Sequence, residues 1–205
     1  MQRVRVEGSA KADMEQQKNK KALVYIVAPS LRLLEKMEGA AAALESFGIV
    51  YNLSIVAAHR APKKTLQLAS KLESSKVEVV IAGGTGSAHL PGMLASLTTI
   101  PVIGVPLKGE SLDGMDSLYS MLQMPKGIPV ATIGIDSAFN AGILACEILC
   151  LKYPALKAKI IKYRETLEQE VELEDTKLKS DQQSGKRGFS GPPSSRGKAS
   201  EFGIE

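Results

Sequence analysis

The sequence has few of the features that mark secreted, membrane or metal-binding proteins. It contains only two cysteines, Cys146 and Cys150, which are too few for a disulfide framework and have no further metal ligands near them. No apolar run approaches the roughly 20 residues that span a bilayer, and residues 1–21 lack the apolar centre of a signal peptide. We therefore predict a cytoplasmic protein with two buried thiols, no bound metal and no membrane contact.

The middle of the chain lacks an excess of positive charge. The net charge is +4, but residues 1–21 carry six Lys/Arg against three Asp/Glu, and residues 179–205 carry five against three. The middle is therefore close to −1. Nucleic-acid surfaces place basic clusters and stacking aromatic residues on the folded domain, whereas only 4% of this chain is aromatic. A nucleic-acid partner is not expected.

Apolar strands and amphipathic helices alternate along the middle of the chain. Runs rich in β-branched residues predict strands at 22–27, 51–56, 77–82, 102–105 and 129–133, with helices at 31–47, 62–74, 88–98, 111–123 and 138–152. This alternation predicts an α/β protein, a three-layer α/β/α domain around a five-stranded parallel sheet. Ligands of such sheets bind beyond the carboxyl ends of the strands, here in the loops that begin at Ala28, Ala57, Ala82 and Pro106.

A helical arm and a polar tail are predicted beyond the sheet. After Pro154, apolar residues recur every three or four positions as far as Val171, which predicts a helix that packs on a neighbouring subunit. Residues 179–205 are rich in Gly, Ser, Pro and basic residues, and we predict disorder there and in 1–20. The predicted domain, including the arm, is 21–178.

The chain has only two histidines, and each follows a predicted strand at the ligand-binding edge. Histidine exchanges protons near neutral pH, and Arg60, directly after His59, offers donors for a phosphate or a carboxylate. From position alone, His59 is either a catalytic residue or a structural cap. His89 follows a glycine-rich loop at 83–86, whose spacing matches neither G-x-G-x-x-G nor a P-loop. A mononucleotide or other small anion is favoured over NAD or ATP.

Residues 111–125 have two interpretations. The first is an ordinary amphipathic helix with Asp113 as its N-cap and its methionines in the core. The second comes from a resemblance of several segments to the class I PurE family. These segments are Ala58-His59-Arg60, Ala82-Gly83 to Gly92-Met93, Pro101 to Pro106, Asp116-Ser117-Leu118-Tyr119-Ser120, Gln123-Met124-Pro125, Gly127 to Val130 and Asn140-Ala141-Gly142. The resemblance covers about 22–167.

The resemblance implies a flavodoxin-like homo-octamer with active sites at subunit junctions. It implies interconversion of N5-carboxyaminoimidazole ribonucleotide and 4-carboxyaminoimidazole ribonucleotide in purine synthesis, with CO2 released and recaptured in a closed pocket and without metal or organic cofactor. It assigns proton transfer to His59, makes His89 the second catalytic histidine of the site and assigns a phosphate contact to Arg60. The other substrate-binding residues that we expect are Ser30, Arg32, Ala57, Gly83, Gly84, Gly86, Ser87, Leu90, Pro91 and Ser117.

The chain departs from the family where the nucleotide phosphate binds. The family has Gly-Ser-x-Ser-Asp after the first strand, whereas residues 28–32 read Ala-Pro-Ser-Leu-Arg; Ala57 replaces a serine, and Thr85 replaces a glycine. A hydrogen bond to a charged group contributes roughly 1.5–3 kcal/mol, so losing several weakens nucleotide binding strongly. Arg32 either binds the phosphate itself or pairs with a carboxylate of the protein. Two functions stay open: a mutase with a remodelled phosphate site, or a non-catalytic scaffold that binds another small anion or a partner.

Overall fold

Five parallel strands form one sheet in the computed structural model, which describes residues 21–184. The strands are β1 (Val24–Ala28), β2 (Tyr51–Ile55), β3 (Val79–Gly84), β4 (Val102–Pro106) and β5 (Ala131–Thr132). Their order is β2-β1-β3-β4-β5. All residues of β1, β3 and β4 are buried, as expected for central strands covered on both faces.

Helices cover both faces of the sheet. They are α1 (Leu31–Glu35), α2 (Glu38–Ser46), α3 (Pro62–Glu73), α4 (His89–Leu97), α5 (Met115–Leu122), α6 (Ala138–Cys150) and α7 (Pro154–Gln183). Tyr25 and Val27 of β1 pack in one core cluster with Leu68 of α3 and Leu94 of α4. On the other side, α6 packs against β3, β4 and α2. The predicted flavodoxin-like three-layer α/β fold is confirmed.

Three predicted elements differ from the structure at their boundaries. The helix predicted at 31–47 is two helices, because Met37, with φ −91° and ψ 0°, interrupts it. The helix predicted at 111–123 begins at Met115, so the expectation that Asp113 is its N-cap is wrong. Asp113 instead has φ +48° in a short 3₁₀ turn, and the cap is Gly114. Only two residues of the strand predicted at 129–133 pair with β4.

The helical arm predicted after Pro154 is present as α7. The chain divides into two compact units, residues 1–160 and 161–205, and α7 begins in the first. Helix α7 extends to Gln183, five residues beyond the predicted domain boundary at residue 178, and the prediction of disorder from residue 179 stays a prediction. The predictions of disorder for residues 1–20 and 185–205 lie outside the described residues. None of the described helices combines the length and apolar character needed to cross a membrane.

Candidate active site

The candidate site is a cavity of about 350 Å³ at the carboxyl ends of β1, β2 and β3. Each of these strands leads into a loop and a helix, so side chains distant in sequence meet at one edge of the sheet. Eight of the predicted site residues line the cavity: Ser30, Arg32, Ala57, His59, Arg60, Gly84, His89 and Leu90. Its volume lies at the lower end of the range for small-molecule sites.

The two histidines form a pair inside this cavity. Their Nδ1 atoms are 3.0 Å apart, and the rings meet edge to face with centroids separated by 4.9 Å. Because two nitrogens at this distance share a single proton, one Nδ1 donates and the other accepts. When both rings are neutral, the donating ring has a bare Nε2 and the accepting ring has a protonated one. The pair therefore provides one proton donor and one proton acceptor at the same time.

The backbone before His89 is held in a left-handed conformation. Ala88 has φ +40° and ψ +41°, lines the cavity and immediately precedes α4. Non-glycine residues adopt this region at an energetic cost, and such residues cluster at functional sites. Ala88 lies close to Gly84, where an added Cβ would be 3.1 Å from the Ala88 Cα. This close packing fixes the direction in which the chain enters α4.

Two guanidinium groups line the same cavity. Arg60 donates from Nη2 to the carbonyl oxygen of Pro29 at 3.1 Å, which links the loop after β2 to the loop after β1. Ser30 is the N-cap of α1, and its Oγ accepts from the backbone N–H of Leu33 at 3.4 Å. This cap places Arg32 in the first turn of the helix, at the cavity wall.

Five predicted site residues do not line this cavity. Gly83 is buried, and a Cβ there would lie 2.8 Å from the sulfur of Met37. Pro91 is buried within α4, and Gly86 has φ +62° in the loop before it. Ser117 is buried and donates from Oγ to the carbonyl oxygen of Leu107 at 3.1 Å. Their predicted contacts with substrate stay predictions. The fifth residue, Ser87, lies elsewhere.

A second cavity of about 340 Å³ lies on another side of His89. Ser87 and His89 line it together with apolar side chains from α4 and from the segment after α5, notably Met93 and Met124. Ser120 of α5 donates a hydrogen bond to the carbonyl oxygen of Ser87, which holds the glycine-rich loop against that helix. His89 is therefore accessible from a polar cavity and from an apolar one.

Sequence reasoning missed several residues that surround the pair. Leu33 and Ala58 line the first cavity, and Met93 and Met124 line the second. Leu33 had a signal, because it lies one helical turn after Ser30 in a segment at the ligand edge. Met124 had a signal too, because it belongs to the Gln123-Met124-Pro125 segment that resembles the PurE family.

Neither cysteine lines either of the two cavities. Burial raises the pKa of the Cys146 thiol to about 12, so it stays protonated at neutral pH. Both cysteines are free thiols in α6, and Cys146 is buried as predicted whereas Cys150 is half-buried. Within residues 21–184, no three His, Cys, Asp or Glu side chains come together in a way that could hold a metal ion. The prediction of a metal-free site stays a prediction.

Comparison with known proteins identifies the family. Residues 23–170 match the family model described as AIRC, AIR carboxylase. The chain belongs to the AIR carboxylase family. A member from Pyrococcus horikoshii, named N5-carboxyaminoimidazole ribonucleotide mutase, is 48% identical over 161 residues, which cover 78% of this chain and 91% of that protein. A mutase of the same name from Thermotoga maritima is 52% identical over 138 residues, covering 67% and 81% of the two chains.

Solved structures of AIR carboxylase family members have the same fold. Treponema denticola PurE superposes with a TM-score of 0.72 and is 28% identical, covering 78% of this chain and 99% of that one. A second structure from the same organism, of a PurE2 variant, gives the same values. The resemblance to the PurE family that the sequence motifs indicated is therefore confirmed.

Proposed function

We propose that the protein is a mutase that interconverts N5-carboxyaminoimidazole ribonucleotide and 4-carboxyaminoimidazole ribonucleotide in de novo purine biosynthesis. The observation that carries the proposal is the His59–His89 pair, which joins a proton donor and a proton acceptor within one cavity. The names of the family members from Pyrococcus and Thermotoga support it.

The reaction needs one proton to be donated to the exocyclic nitrogen and one proton to be removed from the ring carbon. The bond between the exocyclic nitrogen and the carboxylate carbon breaks, its electron pair stays on nitrogen, and His59 protonates that nitrogen as CO2 leaves. The ring carbon then attacks CO2, and a new carbon–carbon bond forms. His59 takes the proton from that carbon and restores the aromatic ring. The histidine ends in its starting protonation state, so no external acid or base is consumed.

His89 supports this exchange as a positioning residue. Its Nδ1 lies 3.0 Å from the Nδ1 of His59, so it sets which tautomer His59 adopts and orients the ring. The cavity walls contributed by Leu33, Ala58 and Leu90 are apolar. Such walls reduce the amount of water around the liberated CO2 and keep it within reach of the ring carbon.

A non-catalytic scaffold is the second candidate function. It is favoured by the segment at residues 28–32, where Ala-Pro-Ser-Leu-Arg stands in place of the Gly-Ser-x-Ser-Asp motif of the family. In this case the cavity would bind another small anion without turnover. The two candidates share the fold and the family, so only an activity measurement separates them.

The activity is tested by following the ultraviolet absorbance of 4-carboxyaminoimidazole ribonucleotide with purified protein and with His59→Asn. We expect the wild-type chain to change the absorbance and His59→Asn to be slower by about 10²- to 10⁴-fold, the usual contribution of a general acid–base group. Equal melting temperatures of the two proteins serve as the folding control. Equal rates would reject the mutase and leave the scaffold.

We also propose that the protein works in the cytosol as a homo-octamer. One face of α5 supports the assembly, because Met115, Tyr119 and Leu122 recur at helical spacing and are 40%, 57% and 56% exposed. The adjacent Leu112 is 71% exposed. A second copy of the chain covers this face in the proposed assembly, as the resemblance to octameric PurE proteins implies.

A further inference from the structure

We propose that Arg32 binds the substrate phosphate together with Arg60 and so replaces the hydroxyl and carboxylate groups of the family motif. This inference rests on the proposed function, since it concerns the same substrate. Arg32 is the new element, because no residue of its charge belongs to the Gly-Ser-x-Ser-Asp motif. Both arginines line the cavity that contains the histidine pair.

No carboxylate of the described residues, 21–184, neutralises either arginine. Among the residues that line the cavity there is no aspartate or glutamate. Within residues 21–184, neither Arg32 nor Arg60 forms an ion pair with a carboxylate, and the ion pairs Lys36–Asp136, Lys152–Glu78 and Lys179–Asp175 involve other residues. The alternative in which Arg32 pairs with a carboxylate of the protein is thus not realised in the described part of the chain. Two positive charges remain available to a ligand.

The number and geometry of these charges suit a phosphate monoester. Such a group carries close to two negative charges at neutral pH, and a guanidinium binds it through two parallel N–H donors. One N–H of Arg60 is engaged by the carbonyl oxygen of Pro29, which fixes the group at the cavity edge and leaves its other donors for the ligand. Ser30 and Thr85 add hydroxyl groups to the same wall.

A substrate bound by Arg32 and Arg60 is recognised by its charge more than by its ribose. The short serine and aspartate side chains of the family motif contact phosphate and ribose together, whereas a guanidinium has only donors and accepts nothing from a ribose hydroxyl. The protein should therefore discriminate strongly between a nucleotide and the nucleoside that lacks its phosphate.

Ligand-induced melting shifts with aminoimidazole ribonucleotide and aminoimidazole ribonucleoside test the role of Arg32. We expect the wild-type protein to be stabilised by the nucleotide only, and Arg32→Ala to bind it roughly 10- to 100-fold more weakly. Arg32→Lys keeps the positive charge but lacks the two parallel N–H donors of the guanidinium, so its nucleotide affinity should be intermediate. Lys63→Ala is the matched control, because Lys63 is an exposed cation in the first turn of α3 that does not line the cavity.

Turnover provides the second measurement. With 4-carboxyaminoimidazole ribonucleotide, Arg32→Ala should raise KM by a similar factor while kcat changes much less, since the phosphate lies away from the reacting atoms. Nucleotide-selective binding without turnover in the wild type, together with weaker nucleotide binding in Arg32→Ala, would reject the mutase yet support the role of Arg32. Unchanged nucleotide affinity in Arg32→Ala, or equal binding of nucleotide and nucleoside by the wild type, would overturn it.

Discussion

Glu78 joins the start of one central strand to the end of a helix through a single carboxylate. It directly precedes β3, and its Oε1 accepts hydrogen bonds from Lys152 Nζ at 2.7 Å and from Tyr153 Oη at 2.6 Å. Burial alone would raise the pKa of Glu78, but the hydrogen bonds from Lys152 and Tyr153 outweigh it and lower the pKa below its ordinary value.

Replacing Glu78 should reduce stability in a pH-dependent way. A carboxyl group whose pKa is lower in the folded state stabilises the fold above its unfolded pKa, and this contribution is lost as the pH falls through the folded value. Glu78→Gln should therefore lower the free energy of unfolding by about 0.5–1 kcal/mol at pH 7, and by less below about pH 4. Urea unfolding at both pH values measures the difference.

Glu110→Gln is the control for this experiment. Glu110 is an exposed carboxylate in the loop after β4, with no hydrogen bond or ion pair in the described chain. Its replacement should have the same small effect at either pH. A Glu78→Gln penalty that is equally large at pH 4 and pH 7 would show that the carboxylate charge does not stabilise the fold.

Individual site residues could be placed at an edge of the sheet from the sequence, but their contacts could not. His59 and His89 each follow an apolar run, which predicted both at the carboxyl edge of the sheet, and both line the cavity there. Their Nδ1–Nδ1 contact joins the loop after β2 to the loop after β3, two strands that lie on either side of β1 in the sheet. The distance between the two Nδ1 atoms cannot be predicted from residue type or spacing, because it is set by the packing of the whole sheet.

Helices α2 and α6 are tightly packed against each other at Gly142. Gly142 in α6 faces α2, where a Cβ would lie 2.5 Å from the Cβ of Ala43 and 2.8 Å from the carbonyl oxygen of Ala40. Small residues on both helices permit this approach. A larger side chain would force the helices apart and loosen the layer beneath β3 and β4.

Gly142→Ala should therefore destabilise the protein by about 1–3 kcal/mol, although alanine favours helices more than glycine does. Thermal or urea unfolding measures the loss. Gly109→Ala is the control, because the nearest atom to its added Cβ is the Thr85 Cβ at an ordinary 3.7 Å, and we expect a change within about 0.5 kcal/mol. A neutral or stabilising Gly142→Ala would mean that the helices can move apart freely.

Most elements were predicted within two residues of their bounds, and the exceptions have physical causes. The break between α1 and α2 was missed because apolar residues keep helical spacing across it. The buried Met37, rather than any local signal, interrupts the helix there. The late start of α5 had a signal in Gly114, whose φ of +88° suits glycine and ends the preceding turn. No sequence signal indicated that β5 would be short, since strand pairing depends on tertiary structure.

The proposed octamer predicts a molar mass of about eight 21.9 kDa chains by light scattering. Leu122→Lys places a charge on the exposed face of α5 and should shift the mass to smaller species, because an unpaired charge inside an interface is costly. Gln123→Lys, at the exposed neighbouring position, should leave the mass unchanged. A wild-type mass of one chain, or equal masses for both variants, would contradict the assembly.

Charge is distributed unevenly along the chain. Lys and Arg outnumber Asp and Glu in residues 1–21 and 179–205, but not in the middle. The cations that matter for the site are therefore not part of the general basic character. Arg32 and Arg60 are local charges within a nearly neutral domain. No broad basic surface is therefore expected to compete with them for a phosphate.

The position of His89 between two cavities has a consequence for chemical inhibition. An inhibitor that resembles the substrate must satisfy the arginines, and a phosphate group hinders entry into cells. The second cavity offers an apolar wall with Met93 and Met124, and it is lined by His89 but by neither arginine. An uncharged compound with an apolar body and one hydrogen-bonding group could thus engage the histidine pair from that side and interrupt proton transfer without imitating a nucleotide.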